Sequence, residues 1–231
     1  MSIGDNVFSK CSNLISITIP TSVTSIGLDA FSGSSSLTSI TIPASVISIG
    51  SGAFKNSGLT TVTIPTSVTN IPEDAFSNCT GLTSITIPTS VTSIGENAFS
   101  NCTGLISITI PTSVTSIGNA AFYTCTSLES IIIPNSVTSI SSNAFSNCYS
   151  LTSVTIPNTV TSIGNGAFRN CTNLTSIRIP DSVTIIVSDT VFEFSGLTTV
   201  TILNNQIIGI SSPASDVFFF GRTVTTILPN S

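Results

Sequence analysis

Apolar and hydroxylated residues follow one another in this chain in a fixed order that returns about every 23 residues. In one unit, Ser84-Ile85-Thr86-Ile87 alternates polar and apolar at period two with β-branched side chains. That pattern predicts a strand that buries Ile85 and Ile87 and turns Ser84 and Thr86 outward. Val91-Thr92-Ser93-Ile94 then sets two apolar residues three apart, which suits a second short extended or bent segment and is too short for a helix. Ala98-Phe99 follows, then Cys102, and the next unit opens at Leu105.

Prolines close the first strand of each unit at Pro20, Pro43, Pro65, Pro88, Pro111, Pro134, Pro157 and Pro180, in steps of 22 or 23. Proline lacks an N–H and pushes the residue before it into extended backbone, so it ends the ladder at the same height in each copy. A period of this length describes a supersecondary unit too small to bury its own apolar face, stacked on copies of itself. One phenylalanine per unit (Phe8, Phe31, Phe54, Phe76, Phe99, Phe122, Phe145, Phe168, Phe192) predicts an internal column of rings. Glycines recur at Gly27, Gly50, Gly95, Gly118 and Gly164, but Pro72 and Ser141 take the same place elsewhere. That place therefore cannot require positive φ, and flexibility and close approach are the expected reasons for glycine.

Cysteines form a further column (Cys11, Cys79, Cys102, Cys125, Cys148, Cys171), with Ser34, Ser57 and Ser195 replacing them in other units. Stacked about 5 Å apart they could tempt a disulfide assignment. Five consecutive sites cannot pair completely, so internal free thiols are expected. Without a Cys-x-x-Cys spacing or any histidine, a zinc site is not expected, and no other metal or cofactor is called for.

Composition narrows the function. Only 6% of residues are charged, so the surface must be largely hydroxyl, and a net charge of −5 provides no basic patch for nucleic acid or anionic membrane. Mean hydropathy is positive, but no apolar run approaches the ~20 residues that span a bilayer. No phosphate loop, nucleophile elbow or dinucleotide fingerprint is present, and there is no histidine to act as a base, so the chain is expected not to be an enzyme. The carboxylates Asp29, Glu73, Asp74 and Glu96 lie in the turn before Ala-Phe, where solvated positions are expected. Sequons at Asn78, Asn101, Asn170 and Asn173 are explained by repetition as well as by glycosylation.

The unit Leu-x-x-Ile-x-Ile-Pro-x-Ser-Val-x-x-Ile-Gly-x-x-Ala-Phe-x-x-Cys closely resembles the BspA-like class of leucine-rich repeats, over about eight full copies and two partial ones. The resemblance implies a right-handed leucine-rich repeat solenoid with a parallel β-sheet on one face and short strands, turns or 3-10 segments on the other. It also implies a surface or secreted protein of a bacterium or parasitic protist that adheres to host matrix proteins or cells. One repeat domain is expected over residues 1–231, regular over 5–203, where Leu203 finally replaces the proline, and irregular over 204–231, where the register around Phe218-Phe219-Phe220 is only approximate. Both ends fall within units, so a segment of a longer array is expected, with its address signals elsewhere and sheet ends able to stack end to end.

The outward strand positions make two hydroxyl columns, and two residues break them: Ile132 and Arg178. A ligand site is placed there, formed by Ser107, Thr109, Ser130, Ile132, Ser153, Thr155, Ser176 and Arg178, for a protein or host-surface partner such as extracellular matrix. The plain alternative is that Ile132 is repeat drift and Arg178 pairs with Asp181. Two other functions stay open: a spacer or assembly segment, and an ice-binding hydroxyl array.

Overall fold

The computed structural model describes residues 1–202 and the strand Thr226–Ile227. The expectations for Leu203, for 204–225 and for the final residues fall outside the described residues. The chain winds as a parallel-strand β-solenoid of about nine turns with almost no helix. The turns are numbered here by their phenylalanines, from Phe8 to Phe192.

Each turn has a front strand, a back strand and a corner. Front strands, such as Ser84–Thr86, bury the central residue and expose the two beside it, as the alternation predicts. They pair in blocks rather than one continuous sheet. Thr61–Thr63 pairs with Ser84–Thr86, Ser130–Ile132 with Ser153–Thr155, and Ser176–Ile179 with Thr199–Ile202 and then Thr226–Ile227. Between strands, Pro-x-Ser-Val closes a tight turn in which the Val91 N–H donates to Pro88 O at 3.1 Å. The serine of this motif donates to the valine carbonyl one turn back, as Ser90 does to Val68 and Ser113 to Val91, at 2.7 and 2.6 Å. Its hydroxyl thus supplies a bond between turns where no main-chain amide is available.

Back strands such as Ser93–Ile94 also form a ladder, and the glycine column decides where it breaks. Gly95 and Gly118 donate their N–H groups to Ile71 O and Ile94 O, each at 2.8 Å. Pro72 has no N–H, and Ser141 offers its hydroxyl to Ile117 O instead, at 2.5 Å. The back ladder accordingly falls into three sheets, with breaks after Ser48–Ile49 and after Ser116–Ile117. The ladder also explains the glycines. A Cβ on Gly118 would lie 2.5 Å from Glu96 N and 2.6 Å from Gly95 C, with backbone on both counts. Gly118→Ala is therefore expected to cost about 1–3 kcal/mol through forced displacement of a turn. Denaturant melts should show it, and an unchanged midpoint would remove close approach as the reason for this column. In the ninth turn, which enters a 3-10 helix over Asp189–Phe192, Val187 takes the glycine's place.

Around Phe99 the main-chain amides from Asn97 to Cys102 are all used, in alternation. Ala98, Ser100 and Cys102 donate locally to Gly95, Asn97 and Phe99, while Asn97, Phe99 and Asn101 donate to Asn119, Ala121 and Tyr123 of the next turn. This double turn needs left-handed backbone two residues before and two residues after each phenylalanine. Asn97 and Asn101 have φ of 52° and 58°; Asn, Asp and Gly fill the first column except at Ala120, and Asn and Gly fill most of the second. Asp29 and Asp74 are therefore chosen for backbone conformation as well as solvation, and Asp74 also pairs with Lys55 at 3.0 Å. Three of the four sequon asparagines, Asn78, Asn101 and Asn170, occupy the second of these columns.

The core is the stack of corner side chains. Nine phenylalanine rings run from Phe8 to Phe192 with centroids 5.2–5.7 Å apart and planes within 11° of parallel. Beside them run the thiols, all six free. Cys102, Cys125, Cys148 and Cys171 each donate to the carbonyl of the preceding turn's phenylalanine at 3.1–3.2 Å. Ser34 makes the same bond to Phe8 O at 2.8 Å, which is why serine and cysteine exchange in this column.

Candidate functional site

The front strands place all eight predicted site residues in solvent. Ser107, Thr109, Ser130, Ile132, Ser153, Thr155, Ser176 and Arg178 are exposed, while Ile108, Ile131 and Ile177 between them are buried. Alternation fixes this, because one register slip would send every isoleucine into water. The residues fall into separate blocks. Ser130 faces Ser153 and Ile132 faces Thr155 across one ladder, while Ser176 and Arg178 belong to the next and face Thr199 and Thr201. Ser107 and Thr109 keep the alternation but lie in no paired strand.

Ile132 is the most exposed aliphatic residue of this face beyond the first turn, at 68%, on a sheet whose other outward groups are mostly hydroxyls. Arg178 stands two turns further along the same column, about 10 Å at ordinary strand spacing. A third outward column lies one residue before the strand and escapes a reading that follows strand alternation alone. It runs through Ile15, Thr38, Thr60, Thr83, Ile106, Glu129, Thr152, Thr175 and Thr198, all exposed. Its threonines are held in place: Thr83 and Thr152 donate their hydroxyls to the carbonyls of Thr60 and Glu129, at 3.2 and 3.0 Å. Ile106 and Glu129 break this column in adjacent turns, and that break is the signal by which the sequence could have disclosed it. Turns five to eight thus collect Ile106, Glu129, Ile132 and Arg178 on one hydroxyl-covered face.

This arrangement offers surface recognition through an array of exposed hydroxyls, those of one column held by main-chain carbonyls, with two aliphatic and two charged groups. Among the described residues no group of three or more His, Cys, Asp or Glu side chains could hold a metal ion. No helix among them is long and apolar enough to cross a membrane. Cys79, Cys102, Cys125, Cys148 and Cys171 are the strongly perturbed titratable groups, and they lie in the core away from this face. Burial pushes Cys79 up to about 11 and Cys171 up to about 12, so they remain neutral and unreactive near neutral pH.

None of the curated proteins matches the chain. Among solved structures, a leucine-rich repeat protein of T. pallidum is 29% identical, with a TM-score of 0.55 over 75% of this chain and 71% of that one. A leucine-rich repeat protein of Bacteroides ovatus is 27% identical with a TM-score of 0.49, covering 90% and 72%. A leucine rich cell surface protein of Faecalibacterium prausnitzii is 29% identical with a TM-score of 0.48, covering 93% and 84%. The model of the BspA type leucine rich repeat region, with six copies, matches residues 1–125 and 92–214. With stacked phenylalanines, a strand closed by proline in each unit, and a family match over most of its length, the chain belongs to the BspA-type leucine-rich repeat family.

Proposed function

We propose that the protein is a non-enzymatic binding module, extracellular or held at a cell surface, that engages a protein ligand through its front face. The observation that carries this reading is the clustering of Ile106, Glu129, Ile132 and Arg178, all exposed, on a face otherwise covered by hydroxyls. None of these four side chains is spent on the core, so their departure from the repeat is available to a partner. Family membership supports the extracellular location and adhesion to host matrix or host cells as the use of that face.

The test is surface plasmon resonance against immobilised matrix proteins and against host-cell membranes. Ile132→Thr with Arg178→Thr, and separately Ile106→Thr with Glu129→Thr, restore the repeat pattern. Each pair is expected to weaken binding about tenfold or more while leaving the melting temperature unchanged. Undiminished binding would place the ligand elsewhere, and failure to bind any such surface would favour a spacer.

A further inference from the structure

The corner that leads from the ring column to the front strand changes character in turns seven to nine. Its second left-handed column holds Lys10, Gly33, Asn56, Asn78, Asn101, Thr124, Asn147 and Asn170, and then Phe194, its one aromatic. Phe194 has φ of 56° and is 61% exposed. A bulky side chain at positive φ is a backbone outlier that glycine or asparagine would relieve, and an aromatic ring left in water gains little burial in return. Strain of this kind, uncompensated by packing, points to use.

The ring is also held in place. The Arg169 guanidinium carbon lies 5.7 Å from its centroid, and Arg169 Nε donates to Glu193 Oε2 at 2.9 Å. One face of Phe194 is thus backed by a cation that is itself fixed, and the rest of the ring is open to solvent. On the same corner, two turns earlier and two places further along the unit, Tyr149 is exposed as well. Each turn here advances by about 5 Å, the ordinary spacing of paired strands. Turn eight, lying between the two aromatics, presents Asn170, Thr172 and Asn173. Asn170 Nδ2 donates to Asn147 Oδ1 at 2.7 Å, and the Thr172 hydroxyl and the Asn173 main-chain N–H donate to Tyr149 O at 3.5 and 3.2 Å, so the Asn170 and Thr172 side chains and the Asn173 backbone are tied to turn seven.

We propose that this corner binds an uncharged oligosaccharide chain crossing turns seven to nine, with Tyr149 and Phe194 as stacking platforms and the turn-eight amides and hydroxyl as partners between them. A pyranose has apolar C–H faces that pack on an aromatic ring and a rim of hydroxyls that need fixed donors and acceptors. Two aromatics separated by amides match that alternation, whereas a protein hot spot calls for a contiguous apolar cluster. The ion pair of Arg169 with Glu193 cancels the local charge, which suits a neutral ligand. The turn spacing is close to the length of one pyranose unit, so successive sugars meet successive turns.

Affinity electrophoresis of bacterially produced protein, in which Asn173 carries no glycan, tests this with mannan, xylan, laminarin and hydroxyethylcellulose in the gel. At least one of the four is expected to retard the protein. Tyr149→Ala and Phe194→Ala should each weaken that retention about tenfold, and together abolish it. Phe194→Asn is expected to raise the melting temperature while losing retention, a pair of effects that a merely structural role does not produce. The Ile132/Arg178 variant should be retarded normally, which separates this site from the front face. No retardation by any of the four, or undiminished retention in the double variant, would overturn the proposal. Loss of a protein ligand in Phe194→Asn without any polysaccharide retention would do so too, in favour of a protein contact.

Discussion

Raising the pH from 9 to 11 in the presence of a phosphine reductant is expected to unfold this protein. Five thiols in the core are held neutral by desolvation: Cys79 is pushed up to about 11, Cys171 to about 12, and Cys102, Cys125 and Cys148 well above their ordinary value. Desolvation is the largest cause for each, with repulsion from a neighbouring thiol second for the middle three. The folded pKa lies above the unfolded one, so the stabilisation is complete below the ordinary thiol value of 9.0 and is lost as pH rises towards the folded value. Within that window the unfolded chain has released protons that the folded chain retains. Each such thiol removes about 1.4 kcal/mol per pH unit, and five remove about 7 kcal/mol per unit, comparable with the whole stability of an ordinary domain. Circular dichroism against pH should show the transition. Replacing the five by serine, which Ser34 and Ser57 already show to fit the column, is expected to move it to higher pH. Coincident curves for the two proteins would sink the argument.

Phe99→Ala is expected to destabilise by about 3–5 kcal/mol, through lost transfer energy and the cavity left behind. The ring stacks between Phe76 at 5.6 Å and Phe122 at 5.3 Å and is fully buried, so both neighbours lose a face. In a solenoid, stability is close to a sum of turn and interface contributions, and a mid-array deletion weakens two interfaces at once. Phe122→Ala should behave alike. Thr86→Ala, on the exposed front face, should fall within about 0.5 kcal/mol of the parent. Denaturant midpoints for the three variants provide the comparison, and equal melting of Phe99→Ala and Thr86→Ala would be incompatible with an internal ring column.

The columns of the core could be read from the chain because burial repeats with the sequence. Ile85 and Ile87, Val91 and Ile94, and Phe99 and Cys102 each return once per turn, so a side chain's inside or outside position is a property of its place in the unit. The exposure of Ile132 and Arg178 follows from the same rule. Other features were not legible in this way. The left-handed backbone at Asn97 and Asn101 serves hydrogen bonds to Asn119 and Tyr123 in the next turn, and a local reading of Glu96-Asn97 shows only a polar loop. The threonine column through Ile106 and Glu129 precedes the strand, where alternation no longer assigns a side.

The amino-acid sequence by itself determined the solenoid, its period, its buried columns and its hydroxyl surface, because those depend on residue type and spacing along one turn. Only the tertiary structure decided how the turns are bonded. Whether the back ladder closes at Gly118 or breaks at Pro72 and Ser141, whether the thiols donate to phenylalanine carbonyls, and how Phe194 is held under Arg169 depend on atoms some 23 residues apart meeting at hydrogen-bond or van der Waals distance. Stacking register sets those meetings, and register is a property of two turns together.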